Sequence, residues 1–195
     1  MSGRKALAAL AVGTLAIGTG AAVAGGTSHD NAFGSFEEVE SSVACTAGGN
    51  GDRQFILPDG FTQRVFAREG EAGTANNWDM NTQNETGRQK GRYLYRTHEV
   101  GAPSSVSVTD LRRNTTRVLA QRADWEVLDG IVWTPWGTLL VAEEVVTSRV
   151  KDPALPGAKG GHVYEINPTN GIARLRAAVG SRSHEGLRFD EEGNL

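Results

Sequence analysis

The sequence predicts an all-β chain. The observations behind this are short runs in which apolar and polar residues alternate, turns centred on Gly, Asn and Pro between them, and no helical periodicity in any long segment after residue 24. An internal echo narrows the class. Residues 130–139 and 186–195 align as Gly, two residues, an aromatic, a short turn with Gly, a polar residue and Leu, about 56 positions apart. That period suits one β-propeller blade with a loop insertion. A propeller has at least about four blades, so the expected architecture is an incomplete β-propeller, the first few blades only.

The chain opens with Arg4-Lys5, an apolar stretch from Ala6 to Ala24 and a small-x-small pattern at Ala22-Val23-Ala24, which reads as a signal peptide over residues 1–24. Gly13, Gly18 and Gly20, with no charged stop-transfer flank, disfavour a membrane-spanning helix. The mature protein is expected to be secreted, periplasmic or at the cell surface, with no stable membrane insertion. Residues 25–53 are rich in Gly, Ser, Thr, Asn and acidic residues and predict a flexible leader, and residues 54–195 form the partial propeller domain. A formal net charge of -3 over 195 residues does not support nucleic acid as a partner and favours a small molecule or a protein. Cys45 is the only cysteine, so no intrachain disulfide can form. The sequence leaves the oligomeric state open.

Folded structure is expected to begin near Phe55. Pro58-Asp59-Gly60 is a turn signal, and residues 61–66 alternate as a half-buried strand does. The Asn-rich residues 76–84 read as a polar loop. Gly91 opens a strand over residues 92–97 that delivers His98 and Glu99 to its end. Further strands are predicted over residues 104–109, 117–120, 130–133, 138–142, 162–166, 172–177 and 186–189, with turns at 135–137, 168–171 and 191–194. The last unit stops as its second strand begins, leaving Leu195 and backbone groups without partners, so a truncated chain is expected.

The acidic residues carry the chemistry. Glu143-Glu144 ends an apolar run, and His98-Glu99 and His184-Glu185 each stand beside a predicted strand. A hard cation wants several oxygen ligands converging on one point, and carboxylates at the inner ends of neighbouring blades supply them. Glu99, Glu143, Glu144 and Glu185 are the metal-ligand candidates. Successive strand residues point to opposite faces, so Glu143 and Glu144 both face one ion only if the strand has ended or carries a bulge. Otherwise one of the pair is structural. Trp133 and Trp136 read as core, and Arg182 and Arg188 as exposed cations. The chain has no nucleophile elbow, phosphate-binding Gly-rich loop, dinucleotide fingerprint or zinc-type spacing.

Leu57-Pro58-Asp59-Gly60-Phe61, Tyr95-Arg96-Thr97-His98-Glu99, the segment from Trp133-Thr134-Pro135-Trp136-Gly137-Thr138 to Glu143-Glu144, and Ser183-His184-Glu185-Gly186 resemble, in that order, the landmarks of the PhoX-type alkaline phosphatase family. The resemblance runs from about Phe55 to the end. It implies an exported propeller that hydrolyses phosphate monoesters at iron and calcium ions held by central carboxylates. It also implies metal-binding or metal-adjacent roles for Glu99, Glu143, Glu144 and Glu185, catalytic roles for His98 and His184 in positioning phosphate or carboxylates, and a small-molecule phosphate ester as partner.

Two positions depart from the family pattern. The family carries a cysteine iron ligand directly before the Glu-Glu pair, and here that residue is Ala142. Thiolate is a strong ligand for iron, so calcium is the expected cofactor and iron is disfavoured. Arg4-Lys5 also lacks the usual twin-arginine context. Two alternatives stand beside the phosphatase reading: a calcium-dependent lactonase-type propeller, whose blade motif residues 186–195 also resemble, and a non-catalytic calcium-stabilised binding propeller.

Overall fold

The computed structural model describes residues 55, 57–58, 60–144, 151–158 and 160–195. The expected signal peptide over residues 1–24, the leader over 25–53 and Cys45 lie outside the described residues. The chain divides into two compact units, residues 1–44 with 55–62 and residues 45–54 with 63–195. In the first, the amide of Phe61 donates to the carbonyl of Pro58 at 3.1 Å, closing the turn that the Pro-Asp-Gly signal predicts.

The second unit holds two antiparallel four-stranded sheets, each with its strands in chain order. β1 (Trp78–Gln83), β2 (Tyr93–His98), β3 (Ser105–Asp110) and β4 (Thr115–Gln121) form one sheet. β5 (Leu128–Trp133), β6 (Leu139–Glu143), β7 (Val163–Ile166) and β8 (Ala173–Leu175) form the other. The described residues contain no α-helix, only single 3₁₀ turns at Glu71–Gly73 and Ala177–Val179.

The inner strands are rich in Val, Leu, Ile, Tyr and Thr, which fit a pleated, half-buried surface. Their side chains build one cluster drawn from both sheets, including Tyr95, Val106, Leu128, Ile131, Leu139, Val141, Tyr164 and Ile166. Burying a leucine or isoleucine side chain contributes about 1.5–3 kcal/mol, and Leu128, Leu139 and Ile166 are each wholly buried. Tyr95 of the first sheet stacks on Trp133 of the second, ring centroids 5.7 Å apart, so the sheets meet through aromatic faces as well as aliphatic ones. Several of the turns that join the strands use the left-handed region. Asn114 (φ 53°) turns β3 into β4, and Gly137 (φ 89°) turns β5 into β6.

The structure differs from the sequence reading at four places. The Asn-rich segment read as a loop contains β1, a real strand. Its ladder runs to β2 alone, and its polar side chains are bonded sideways: Asn81 Oδ1 accepts from Arg96 Nε at 2.8 Å, and Thr82 Oγ1 accepts from the Trp133 amide at 3.2 Å. Pairing and polar bonds hold it, so no hydrophobic alternation is needed. Residues 61–66 alternate in burial as expected but belong to neither sheet. Residues 186–189 likewise form no ladder, although Leu187 and Phe189 pack on a second cluster of Leu140, Ala142 and Val163. Of the two tryptophans read as core, Trp133 is buried and Trp136 is exposed, its indole N–H donating to Glu165 at 2.8 Å.

Candidate metal centre

The two sheets repeat one local geometry in detail. In the first, Trp78 pairs with His98 and Asn81 with Arg96, with an irregularity between Trp78 and Asn81. In the second, Leu128 pairs with Glu143 and Ile131 with Val141, with the irregularity between Leu128 and Ile131. Each unit is entered through a non-glycine residue in the left-handed region, Asn77 (φ 53°) and Val127 (φ 51°). The carbonyls of these two residues accept from equivalent amides, Glu99 N–H to Asn77 and Glu144 N–H to Val127, both at 2.9 Å. Asp79 and Asp129 are therefore equivalent residues inside equivalent bulges, and Glu99 and Glu144 are equivalent residues just past the second strands.

A third segment joins them. A Cβ added to Gly130 would lie 3.2 Å from the Gly186 Cα, and one added to Gly186 would lie 3.9 Å from the Met80 methyl. Met80, Gly130 and Gly186 directly follow Asp79, Asp129 and Glu185. The close backbone approach at Gly130 is what a missing side chain permits. It draws the Glu185 segment against β5.

The electrostatics follow this placement. Burial, the hydrogen bond to Asp79 and the fields of Asp79, Glu185 and Glu144 push the Asp129 carboxyl up to about 7. Burial also raises the Glu144 carboxyl, reinforced by Glu185, Glu99 and Asp79, and Glu144 and Glu185 share a hydrogen bond. The arrangement sets Asp79 against Asp129 and Glu144 against Glu185, with Glu99 beside them. Asn77 orients Glu99, its Nδ2 donating to Oε2 at 3.1 Å and to the backbone carbonyl at 2.7 Å.

Of the sequence candidates, Glu99, Glu144 and Glu185 are brought together and Glu143 is not. Glu143 lies on the opposite face of β6, almost wholly buried, and accepts from the amides of Glu126 at 3.2 Å and His162 at 3.1 Å. Burial raises its carboxyl against the pull of those donors. It is the structural member that strand alternation requires. His98 occupies the matching position in the first sheet and is equally buried, with Nε2 3.0 Å from Ser107 Oγ. Burial lowers the pKa of both histidines. The charged groups acting on them are Arg96 and Glu69 for His98, and Arg182 and His162 for His184, and none is a clustered carboxylate.

The sequence reading missed Asp79 and Asp129. The available signal was the acidic residue before each echoing glycine, Asp129-Gly130 and Glu185-Gly186. The all-oxygen donor set fits a hard cation such as calcium, which takes six to eight oxygens. Among the described residues no three His, Cys, Asp or Glu side chains close round a single point as bound ligands do. Ala142 alternates with Glu143, so it lies on Glu144's face of β6, where it packs with Leu140 and Val163 and offers no donor. In comparisons with protein-family models, curated proteins and solved structures, nothing matches this chain.

Proposed function

We propose that Asp79, Asp129, Glu144 and Glu185, with Glu99 beside them, hold a calcium-class cation, and that the chain is the opening part of an exported PhoX-like propeller hydrolysing small phosphate monoesters. The observation that carries the reading is the repeat itself. Carboxylates fifty residues apart, Asp79 and Asp129, occupy the same bulge in successive sheets, and their proximity helps raise the Asp129 carboxyl. Repulsion among clustered carboxylates is relieved either by protons or by a cation, and a divalent ion replaces the protons at neutral pH.

The propeller reading is supported by two four-stranded meanders in chain order whose first strands, β1 and β5, pack against each other. Consecutive blades meet round an axis in this way. The chemistry that a bound divalent cation supplies is neutralisation of charge on the phosphoryl oxygens. The chain's own part is to hold its carboxylates in register through the paired bulges and to orient Glu99 through Asn77. His98 and His184 then support the strands beside the carboxylates.

The test is hydrolysis of p-nitrophenyl phosphate by the full chain with and without calcium, alongside calcium titration by calorimetry. Saturable calcium binding and calcium-dependent turnover are expected, both abolished by Asp129→Asn. Absence of calcium binding would rule out the centre. The lack of a donor at Ala142 favours one alternative, a calcium-stabilised binding propeller, for which calcium raises the melting temperature with no turnover.

A further inference from the structure

A second polar feature lies at the other end of the sheets. β1 and β5 begin at Trp78 and Leu128, beside Asp79 and Asp129, and run away from the carboxylates, while β2 and β6 run toward them. The opposite end is formed by the turns after β1, β3 and β7. A six-residue strand spans about 20 Å, so a small ligand cannot touch both ends. A groove of about 1150 Å³ opens at this turn end. Its lining includes Arg88 from the β1–β2 turn, Arg112 and Arg113 from the β3–β4 turn, and Arg117 from β4.

The charge there is opposite in sign to that of the chain, which carries -3 overall. Among the described residues Asp110 is the only acidic one in the lining, and Arg92, outside the lining, already pairs with it at 2.6 Å. Asp110 also accepts from the amides of Arg112 and Arg113 at 3.0 and 3.3 Å, which fixes the turn that presents both guanidiniums. Among the described residues no acceptor is bonded to the side chains of Arg88, Arg112 or Arg113. Threonine hydroxyls, those of Thr115 and Thr169 among them, complete the wall. Guanidinium groups bind phosphate in a two-point fork, and hydroxyls donate to its remaining oxygens.

We propose that this groove binds a soluble small molecule carrying two or more phosphate groups. Its volume exceeds what one phosphate fills, and its four arginines exceed what one phosphate engages. A nucleic-acid strand is the weaker occupant because the groove lacks an open stacking platform: Tyr95 and Trp133 are buried against each other, and Arg92 lies over the Tyr93 ring. The site is separate from the carboxylate cluster and stands whether or not that cluster binds metal.

The experiment is calorimetric titration of the full chain with sodium tripolyphosphate, free of calcium, at about 0.15 M salt. Saturable binding is expected, weakened at least tenfold in Arg112→Glu/Arg113→Glu and also weakened in Arg88→Gln, with Arg188→Gln, an exposed arginine outside the lining, unchanged. Inorganic monophosphate should bind at least tenfold more weakly than tripolyphosphate. No saturable binding, or equal binding by the arginine variants with unchanged circular dichroism, overturns the proposal. So does equal affinity for monophosphate, or tighter arginine-dependent binding of a single-stranded oligonucleotide.

Discussion

The Thr97 hydroxyl donates to the backbone carbonyl of Asp129 at 2.7 Å, linking β2 of the first sheet to the bulge of β5 in the second. The same oxygen accepts from the Met80 amide at 3.2 Å. One wholly buried hydroxyl thus ties together the residue after Asp79 and the backbone of Asp129. Thr97→Val keeps the shape and removes both bonds, leaving the buried Asp129 carbonyl without this donor at a cost of about 1–3 kcal/mol. Urea unfolding should show that loss, and calcium titration should show weaker binding as the two bulges lose their common tether.

Glu143→Gln separates a structural carboxylate from a ligand. The substituted amide would keep one acceptor oxygen and turn an NH₂ toward one of the two backbone amides that Glu143 now satisfies. Destabilisation of about 1–3 kcal/mol is expected in denaturant unfolding. Calcium affinity should stay within about twofold of the parent. A loss of calcium binding with unchanged stability would place Glu143 among the ligands after all.

Gly130→Ala tests the contact that brings in the third carboxylate. The new Cβ would meet the Gly186 Cα at 3.2 Å and its carbonyl carbon at 3.3 Å, backbone atoms that yield only if the segment moves. Residues 183–189 should shift outward and carry Glu185 from Asp129. Calcium affinity should fall at least severalfold by calorimetry, with the far-ultraviolet circular dichroism of the two sheets retained.

Acid should undo the ion pair at the other end of the sheets only at low pH. The Arg92 guanidinium, hydrogen-bonded to Asp110, holds that carboxyl down at about 2. Because the folded value lies below the ordinary one near 3.9, the pair stabilises the fold fully above about pH 4 and loses that contribution as pH falls toward 2. Melting temperatures of the parent and Asp110→Asn should differ at pH 6 and converge near pH 2. A constant difference across that range would show that the ionised carboxylate is not the stabilising form.

Much of the fold was legible because burial imposes a period on the sequence. β2 to β8 fall where alternation and turn residues place strands, to within a few residues at each end. β1 was not legible, because its ladder and its bonds to Arg96 and Trp133 do the work that apolar side chains do elsewhere. The site was half legible. Glu144 announced itself at the end of an apolar run and Glu99 and Glu185 in His-Glu pairs beside predicted strands, whereas Asp79 and Asp129 sit inside bulges that only paired strands create.

By itself the sequence determined an all-β chain with Gly, Asn and Pro turns and acidic residues beside several of its strands, since local sterics and burial act over a few neighbours. Only the tertiary structure decided which carboxylates meet. Alternation along β6 sends Glu143 into the core and Glu144 outward, and the contact of Gly130 with Gly186 joins segments far apart in the chain. Those outcomes depend on register and close packing between strands, which a one-dimensional pattern does not contain.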